Sequence, residues 1–335
     1  MITVFQLIGG FILLLFGAEY LVRGAVSLAR RLNVSPMLIG MTIVAYGTTA
    51  PELVVSLEAV FKGQPGISVG NVVGSNIANI LLILGASALI FPIAIKPNTI
   101  YRDASVMMGS ALLFVALALS GMILRWQGIL MFAALIVFSV YACVSEIRRG
   151  AAKSKADELS EEFGEGPKSV WLSLLGIVGG IASVIIGAKL LVTGAVTTAQ
   201  YLGVGEEVIG LTIVAIGTSL PELATAVVAA FRKHSALAVG NIVGANIYNL
   251  LAIMGLVAAV KPIAVPPQIL SFDLWFMLAV TVGLLSFLIF RGGISRPVAS
   301  LFLLMFAGYT ALQFYGVDKM MDHPPTPPMA INAPG

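Results

Sequence analysis

The chain contains Gly47-Thr48-Thr49-Ala50-Pro51-Glu52-Leu53 and, 170 residues later, Gly217-Thr218-Ser219-Leu220-Pro221-Glu222-Leu223. Each copy places one carboxylate, hydroxyl groups and a proline inside otherwise apolar sequence. Ionisable groups in hydrocarbon are costly, so a pair kept at matching positions indicates a functional site. Duplicated hydrophobic segments interrupted by Gly and Pro are typical of the binding sites of membrane transporters.

A second motif follows each copy at the same spacing. Gly70-Asn71-Val72-Val73-Gly74-Ser75-Asn76-Ile77-Ala78-Asn79 corresponds to Gly240-Asn241-Ile242-Val243-Gly244-Ala245-Asn246-Ile247-Tyr248-Asn249. The similarity also extends upstream, where Gly24-Ala25-Val26 matches Gly194-Ala195-Val196. The chain is therefore predicted to consist of two related halves.

The composition predicts a polytopic membrane protein. The chain is 59% hydrophobic and 10% charged, with a mean hydropathy of +1.01, whereas soluble domains carry about 25% charged residues. Its basic residues are few and lie between apolar spans, which argues against a nucleic-acid partner. The lone Cys143 excludes a disulfide framework within the chain, and the two histidines, His234 and His323, make a histidine-based metal centre improbable.

Apolar stretches long enough to span a bilayer predict an all-α protein with ten transmembrane helices. The predicted spans are 2–28, 35–60, 67–92, 104–122, 126–145, 169–197, 205–231, 237–260, 268–290 and 296–315. The N-terminus lacks a basic region and a cleavage site, so we interpret it as a retained first helix.

Hydrophilic segments divide the chain into four predicted regions. Residues 1–145 form a first five-helix repeat, 146–168 a charged cytoplasmic linker, and 169–317 a second five-helix repeat. We expect the proline-containing tail, 318–335, to be disordered.

The distribution of Lys and Arg predicts the orientation. With the N-terminus outside, fourteen of these residues fall in inside segments and four in outside segments, which is a positive-inside bias. Both termini are therefore predicted to be non-cytoplasmic, in an inner or plasma membrane. Helices two and seven are five spans apart, an odd number, so the two halves are predicted to be inverted-topology repeats with their motifs facing each other near the midplane.

The repeated residues supply hard oxygen donors. Pro51 and Pro221 are predicted to break their helices around Gly47 and Gly217 and to free nearby carbonyls. The candidate donors are the carboxylates, hydroxyls and amide oxygens of the motifs together with those carbonyls: Glu52, Thr48, Thr49, Ser75, Asn79 and Ala45 in the first half, and Glu222, Thr218, Ser219, Asn249 and Ala215 in the second. Oxygen donors of this kind suit Ca²⁺ or Na⁺, whereas zinc would need thiolate or imidazole ligands.

Charge balance indicates exchange. Two ionised glutamates neutralise one Ca²⁺, whereas an empty pair of close carboxylates in low dielectric is unfavourable. Such a site needs a divalent cation, monovalent cations or protons before it can be occluded.

Some of these residues also have structural interpretations. The motif glycines could serve close helix packing, and Asn71, Asn76, Asn241 and Asn246 could bond across helices or cap helix breaks. Glu19 and Lys189, at equivalent repeat positions near span ends, are expected to snorkel to the interface.

At these motifs the chain resembles the cation/calcium antiporter superfamily, specifically its sodium/calcium exchanger branch. The resemblance implies ten transmembrane helices, an ion site formed by helices two, three, seven and eight, and a gating pair formed by helices one and six that slides across that core. It also implies that the donors named above, apart from Asn249, are the ion ligands. Two positions depart from the best-known pattern, because Asn249 replaces an acid and Ala245 replaces a hydroxyl.

These features together predict a Ca²⁺/Na⁺ antiporter that is not an enzyme and needs no cofactor or protein partner. A proton/calcium antiporter is the main alternative, because Asn249 stands where the sodium/calcium pattern has an acid, and K⁺ co-transport stays open. A cation-selective channel is a weaker alternative, because the charge balance of the two carboxylates favours exchange. An intramembrane enzyme is weaker too, since no His or Lys lies near either motif and duplicated half-sites suit a shared ion better than one catalytic group.

Overall fold

Helices follow the apolar stretches of the sequence. The computed structural model describes residues 2–32, 34–148, 169–201 and 215–315. The helices are α1 (Ile2–Arg31), α2 (Pro36–Ile39), α3 (Ala45–Thr48), α4 (Ala50–Phe61), α5 (Pro65–Ala78), α6 (Gly85–Ile90), α7 (Pro97–Ala118), α8 (Arg125–Arg148), α9 (Val170–Tyr201), α10 (Ala215–Gly217), α11 (Leu220–Phe231), α12 (Ser235–Tyr248), α13 (Met254–Val260), α14 (Leu274–Phe290) and α15 (Arg296–Tyr315). Most of the predicted linker, the predicted tail and the first part of the seventh predicted span lie outside the described residues.

The described helices make the chain a multi-pass membrane protein. Seven helical segments are long and apolar enough to cross a bilayer, or eight if a bent pair, Met37–Thr48 and Ala50–Phe61, is one span. The seven are Ile2–Arg31, Pro65–Ile90, Ile100–Ala118, Arg125–Ser145, Val170–Thr198, Ser235–Val260 and Ile269–Phe290. The count of ten spans stays a prediction.

The fold is not purely helical. Four two-residue strands connect the helices: β1 (Ile93–Ala94), β2 (Met122–Ile123), β3 (Ile263–Ala264) and β4 (Gly293–Ile294). They form two antiparallel pairs, β1 with β4 and β2 with β3. The sequence prediction missed them because a two-residue strand is too short to show a periodic pattern.

Contacts between turns gather the helix ends onto two faces. On the first face, the β1–β4 pair joins the α6–α7 and α14–α15 turns, and Lys233, in the α11–α12 turn, lies 6.0 Å from the ring centroid of Phe91. On the second face, the β2–β3 pair joins the α7–α8 turn to the chain after α13, and Lys261 Nζ lies 3.5 Å from the carbonyl oxygen of Val60, close to the α4–α5 turn. We name these the α11–α12 face and the α4–α5 face; α7, with 22 residues, runs from one to the other.

Two long helices, α1 and α9, pack along each other as an antiparallel pair. Their backbones approach closely because glycines line the contact: a Cβ on Gly10 would lie 2.8 Å from the Gly187 carbonyl oxygen, and a Cβ on Gly187 would lie 2.8 Å from that of Gly10. The Ser183 hydroxyl donates to the Leu13 carbonyl at 2.9 Å. Small residues that allow such approach are typical of helix contacts in membranes.

The remaining helices form a core in which the two motif regions meet. Helix α12 packs against α2, α3 and the π-helical turn Gly40–Val44 between them. A Cβ on Gly240 would lie 2.5 Å from the Met37 carbonyl oxygen, so the packing interpretation of this glycine is confirmed. Further π-helical turns begin at the equivalent residues Asn79 and Asn249, and such turns are frequent at functional sites.

Candidate ion-binding site

Each glutamate lies in the first turn of a short helix, and the helical backbone is interrupted directly before that turn. Thr49, between α3 and α4, has φ −81° and ψ 2°, and Ser219, before α11, has φ −89° and ψ 5°. At the first interruption the helix axis bends by 43°. The interruptions lie two residues after the predicted positions, because each proline is accommodated in the first turn of the helix that follows.

Both glutamates are buried in the first turns of short helices. Glu52 in α4 and Glu222 in α11 are each 1% exposed. A helix N-terminus favours negative charge there. Glu52 Oε2 and both carboxylate oxygens of Glu222 nevertheless have no hydrogen-bond partner among the described residues. A buried carboxylate without partners is costly, so this arrangement favours a bound cation or a proton.

Each carboxylate lies beside a hydroxyl residue from the other motif copy. Ser219 interacts with Glu52, and Thr48 lies beside Glu222. The two carboxylates also interact electrostatically with each other. The two copies therefore form one site, although their glutamates are 170 residues apart in sequence.

Three oxygens gather at the first interruption. The Ala45 carbonyl accepts hydrogen bonds from the Thr49 N–H at 3.0 Å, from the Thr48 hydroxyl at 3.3 Å and from the Thr49 hydroxyl. The expectation that the proline frees this carbonyl is therefore wrong, because the Thr49 N–H still reaches it. A cation could use all three oxygens only if the two hydroxyl protons turned away from the carbonyl.

At the second interruption a different carbonyl accepts the hydrogen bond from the interrupting residue. The Ser219 N–H donates to the Ile216 carbonyl at 3.1 Å, so the Ala215 carbonyl takes no part in that hydrogen bond. Ser219 is 3% exposed, whereas Thr218 is partly exposed. The two predicted hydroxyl ligands of this half thus differ in burial.

Asparagine amides connect the two halves. Thr48 Oγ1 lies 3.5 Å from Asn241 Oδ1, and Asn79 Nδ2 donates to Asn246 Oδ1 at 3.3 Å. Asn241 and Asn246 were expected to bond across helices or to cap helix breaks, and these contacts join the two halves across helices, next to the predicted ligands. Only their position next to the predicted ligands could have indicated this.

Asn249 is fully buried, and neither of its amide atoms has a hydrogen-bond partner among the described residues. Ser75 is also buried, one helical turn before Asn79. By contrast, Asn71 and Asn76 have structural partners: Asn71 Nδ2 donates to the Ser56 hydroxyl at 3.0 Å, and Asn76 Nδ2 donates to the Val72 carbonyl at 2.7 Å.

The charge of the site comes from two carboxylates. Within residues 2–32, 34–148, 169–201 and 215–315, no group of three or more His, Cys, Asp or Glu side chains could hold a metal ion. The other donors are neutral hydroxyls, amides and carbonyls. In a multi-pass helical protein, two buried carboxylates among neutral oxygen donors are the ligand types that hard cations prefer.

Comparison with known proteins identifies the family. The profile of the sodium/calcium exchanger protein family matches residues 2–144 and 172–315, so the chain belongs to this family. It is 38% identical to a putative antiporter, CaxA, from Alkalimonas amylolytica, over 93% of this chain and 98% of that protein. It is 31% identical to the sodium/calcium exchanger MaX1 from Methanosarcina acetivorans, over 91% and 97% respectively.

Solved structures show the same fold. The chain matches the sodium-calcium exchanger NCX_Mj, soaked with Na⁺ and Ca²⁺, with a TM-score of 0.80 and 30% identity, covering 93% of this chain and 98% of that one. A second structure of NCX_Mj, soaked without Na⁺ and Ca²⁺, gives a TM-score of 0.81 at 28% identity.

Proposed function

We propose that this chain is a secondary antiporter that exchanges Ca²⁺ for Na⁺ across an inner or plasma membrane. The observation that carries the proposal is the pair Glu52 and Glu222, which are buried, come from different motif copies, interact with each other and have carboxylate oxygens without hydrogen-bond partners. Family membership and the relatives named as sodium/calcium exchangers support the same pair of ions.

The proposed ligands surround these two carboxylates. They are the side-chain oxygens of Thr48, Thr49, Ser75, Asn79, Thr218, Ser219 and Asn249 and the carbonyl oxygens of Ala45 and Ala215. Ca²⁺ takes six to eight oxygen ligands, and this set is large enough to provide them. The ions are the cargo, and the proposal requires no cofactor and no chemical reaction.

Exchange follows from the charge of the site. One Ca²⁺ neutralises the two glutamates, and so do two monovalent cations. An unloaded site would have to carry two uncompensated charges through the bilayer interior, which is strongly unfavourable. Return of the empty site is therefore slow, and net transport requires a counter-ion.

We propose that access alternates between the two faces. In this proposal ten helices form two inverted repeats, and the α1–α9 pair moves against the core. The inversion is supported by the turns: the α4–α5 turn and its repeat equivalent, the α11–α12 turn, belong to different faces. The positive-inside bias supports a cytoplasmic α11–α12 face, with both termini on the other side.

The sequence leaves Na⁺ and H⁺ open as counter-ions, since Asn249 replaces an acid of the sodium/calcium pattern. An asparagine still offers a neutral oxygen ligand for Na⁺, whereas it cannot carry a proton. Glu52 and Glu222 can each still bind a proton, so the choice of Na⁺ over H⁺ rests on the relatives that are named as sodium/calcium exchangers.

The test is ⁴⁵Ca²⁺ uptake into proteoliposomes. Vesicles loaded with Na⁺ and diluted into Na⁺-free medium are expected to take up Ca²⁺, whereas matched vesicles with only a pH gradient are not. Uptake driven by the pH gradient alone would replace the proposal by proton/calcium antiport. Rapid Ca²⁺ uptake without any counter-ion would instead indicate a channel.

A further inference from the structure

An ion pair joins the α1–α9 pair to the core at one face. Arg232, directly after α11, donates through Nε to Glu19 Oε2 at 3.0 Å and through Nη2 to Glu19 Oε1. Glu19 lies in α1 and also accepts a hydrogen bond from Arg23 in the same helix, at 2.5 Å. Its side chain is only 21% exposed. Glu19 is therefore held by two arginines.

The packing around this ion pair is also one-sided. Helix α1 packs extensively against α11, and residues from both, such as Ala18 and Ala229, share one buried apolar cluster. The repeat-equivalent contact, between α9 and α4, is sparse. Among the described residues, the helix pair therefore packs against the core more at the α11–α12 face than at the α4–α5 face.

The repeat makes the charges at the other face easy to compare. Adding 170 to Glu19 gives Lys189 in α9, and subtracting 170 from Arg232 gives Lys62 after α4. The α11–α12 face therefore has an acid and a base, Glu19 and Arg232, whereas the equivalent positions at the α4–α5 face hold two bases, Lys189 and Lys62. Lys62 pairs with Glu58 of its own helix at 2.6 Å. Exposed Lys189 has no ion-pair partner among the described residues.

We propose that Glu19 and Arg232 form a one-sided latch that stabilises the conformation closed at the α11–α12 face, with no counterpart at the α4–α5 face. The inference rests on the proposed alternating exchange. A contact present in only one of two conformations shifts their equilibrium by its own free energy. The equivalent pair in the opposite conformation would bring Lys189 towards Lys62; two lysines form no ion pair with each other, and Glu58 is already paired with Lys62. The chain therefore favours the state open at the α4–α5 face.

The latch can be tested by a distance measurement that does not depend on transport. Spin labels are attached at Gln64→Cys, in the α4–α5 turn, and at Tyr201→Cys, at the end of α9, in a Cys143→Ser background. Both positions are exposed. Double electron–electron resonance then reports how far α9 lies from the α4–α5 turn, and the wild-type distribution is expected to be dominated by the longer distance.

Four variants give defined outcomes. Glu19→Gln and Arg232→Gln are each expected to raise the short-distance population relative to the long one by roughly two- to ten-fold. The control Arg23→Gln removes an ion pair of the same glutamate within α1 and is expected not to raise it. Lys189→Glu, which places an acid opposite Lys62, is expected to raise the short-distance population through a new ion pair.

An unchanged distance distribution in both Glu19→Gln and Arg232→Gln would overturn the latch. A failure of the latch can be distinguished from a failure of the proposed function. Na⁺-driven Ca²⁺ uptake with unchanged distances would overturn only the latch. Shifted distances in a protein without Na⁺-driven uptake would overturn only the exchange.

Discussion

The two copies of the motif match in backbone and differ in how far their polar atoms are hydrogen-bonded. Thr49 and Ser219 have φ and ψ values within about ten degrees of each other, and both glutamates are 1% exposed. In the first copy, one oxygen of Glu52 and one of Asn79 lack partners. In the second copy, both oxygens of Glu222 and both amide atoms of Asn249 lack them.

This difference indicates which half depends more on the ion. Partners within the protein already satisfy much of the first copy, including the Ala45 carbonyl and the hydroxyls of Thr48 and Thr49. The second copy contributes three unpaired oxygens, two from Glu222 and one from Asn249, against two in the first copy, so it gains more from a bound cation. A duplicated sequence has thus become two unlike half-sites.

The largest effect is expected from neutralising the buried glutamate that both motif copies share. Glu52→Gln and Glu222→Gln each remove one of two charges, and each is expected to lower Na⁺-driven ⁴⁵Ca²⁺ uptake by ~100-fold or more, because loss even of groups that support a metal ligand costs 10–100-fold. Glu58→Gln is the matched control, since this glutamate lies in the same helix but is exposed. Normal uptake in both site variants would refute the site.

A smaller effect is expected where the copies differ. Asn249→Asp adds a third acid to the site and is expected to raise the apparent Ca²⁺ affinity by roughly tenfold at alkaline pH, where the new carboxylate is ionised. The measurement is uptake against Ca²⁺ concentration at pH 6 and pH 8.

Ala245→Ser serves as the control for this change, because it restores a neutral hydroxyl. It is expected to leave the pH dependence unchanged. A pH-independent Asn249→Asp variant would show that Asn249 lies away from the ions.

His234, in the α11–α12 turn, predicts how the stability of the protein depends on pH. Burial lowers the pKa of His234 from 6.5 to about 4, and the neighbouring Arg30 and Arg232 contribute. The unfolded chain therefore binds a proton that the folded one does not between pH 6.5 and 4, so stability falls as the pH is lowered through this window. The loss is up to about 3 kcal/mol.

Thermal unfolding in detergent at several pH values measures this effect. His234→Gln is expected to flatten the pH dependence of the unfolding temperature between pH 6.5 and 4. His323→Gln, which changes the other histidine, is expected to leave that pH dependence as in the wild type. Equal slopes for the wild type and His234→Gln would contradict the burial argument.

The smallest effect concerns the packing that brings the copies together. Gly240→Ala would place a methyl group 2.5 Å from the Met37 carbonyl oxygen, and such overpacking is expected to cost about 1–3 kcal/mol of stability. Gly283→Ala, in α14, meets no atom within 4 Å and is expected to be neutral or slightly stabilising. Unfolding temperatures of the two variants in one detergent would separate these outcomes.

Local chemistry made much of the site predictable from sequence. An acid and a proline repeated in apolar sequence indicated the helix interruptions and the two buried glutamates, because few other roles suit an acid in a bilayer. The interruptions were misplaced by two residues, since a proline can begin a helix as well as break one.

Long-range pairings could not be predicted. The contact between Asn79 and Asn246 joins residues 167 apart, and that between Glu19 and Arg232 joins residues 213 apart. Neither pairing leaves a periodic signal in the sequence, because each depends on how whole helices pack. The repeat offset pairs Glu19 with Lys189 from the sequence alone, but only the fold shows that Arg232, the equivalent of Lys62, contacts Glu19.

The central claim is that Ca²⁺ and Na⁺ share one site between Glu52 and Glu222. Equilibrium binding of ⁴⁵Ca²⁺ to the purified protein, measured over a series of Na⁺ concentrations, tests it most directly. We predict that Na⁺ raises the apparent Kd for Ca²⁺ without changing the number of sites, and that the double variant Glu52→Gln/Glu222→Gln binds no Ca²⁺. Ca²⁺ binding that is unaffected by Na⁺, or that persists in the double variant, would contradict the account.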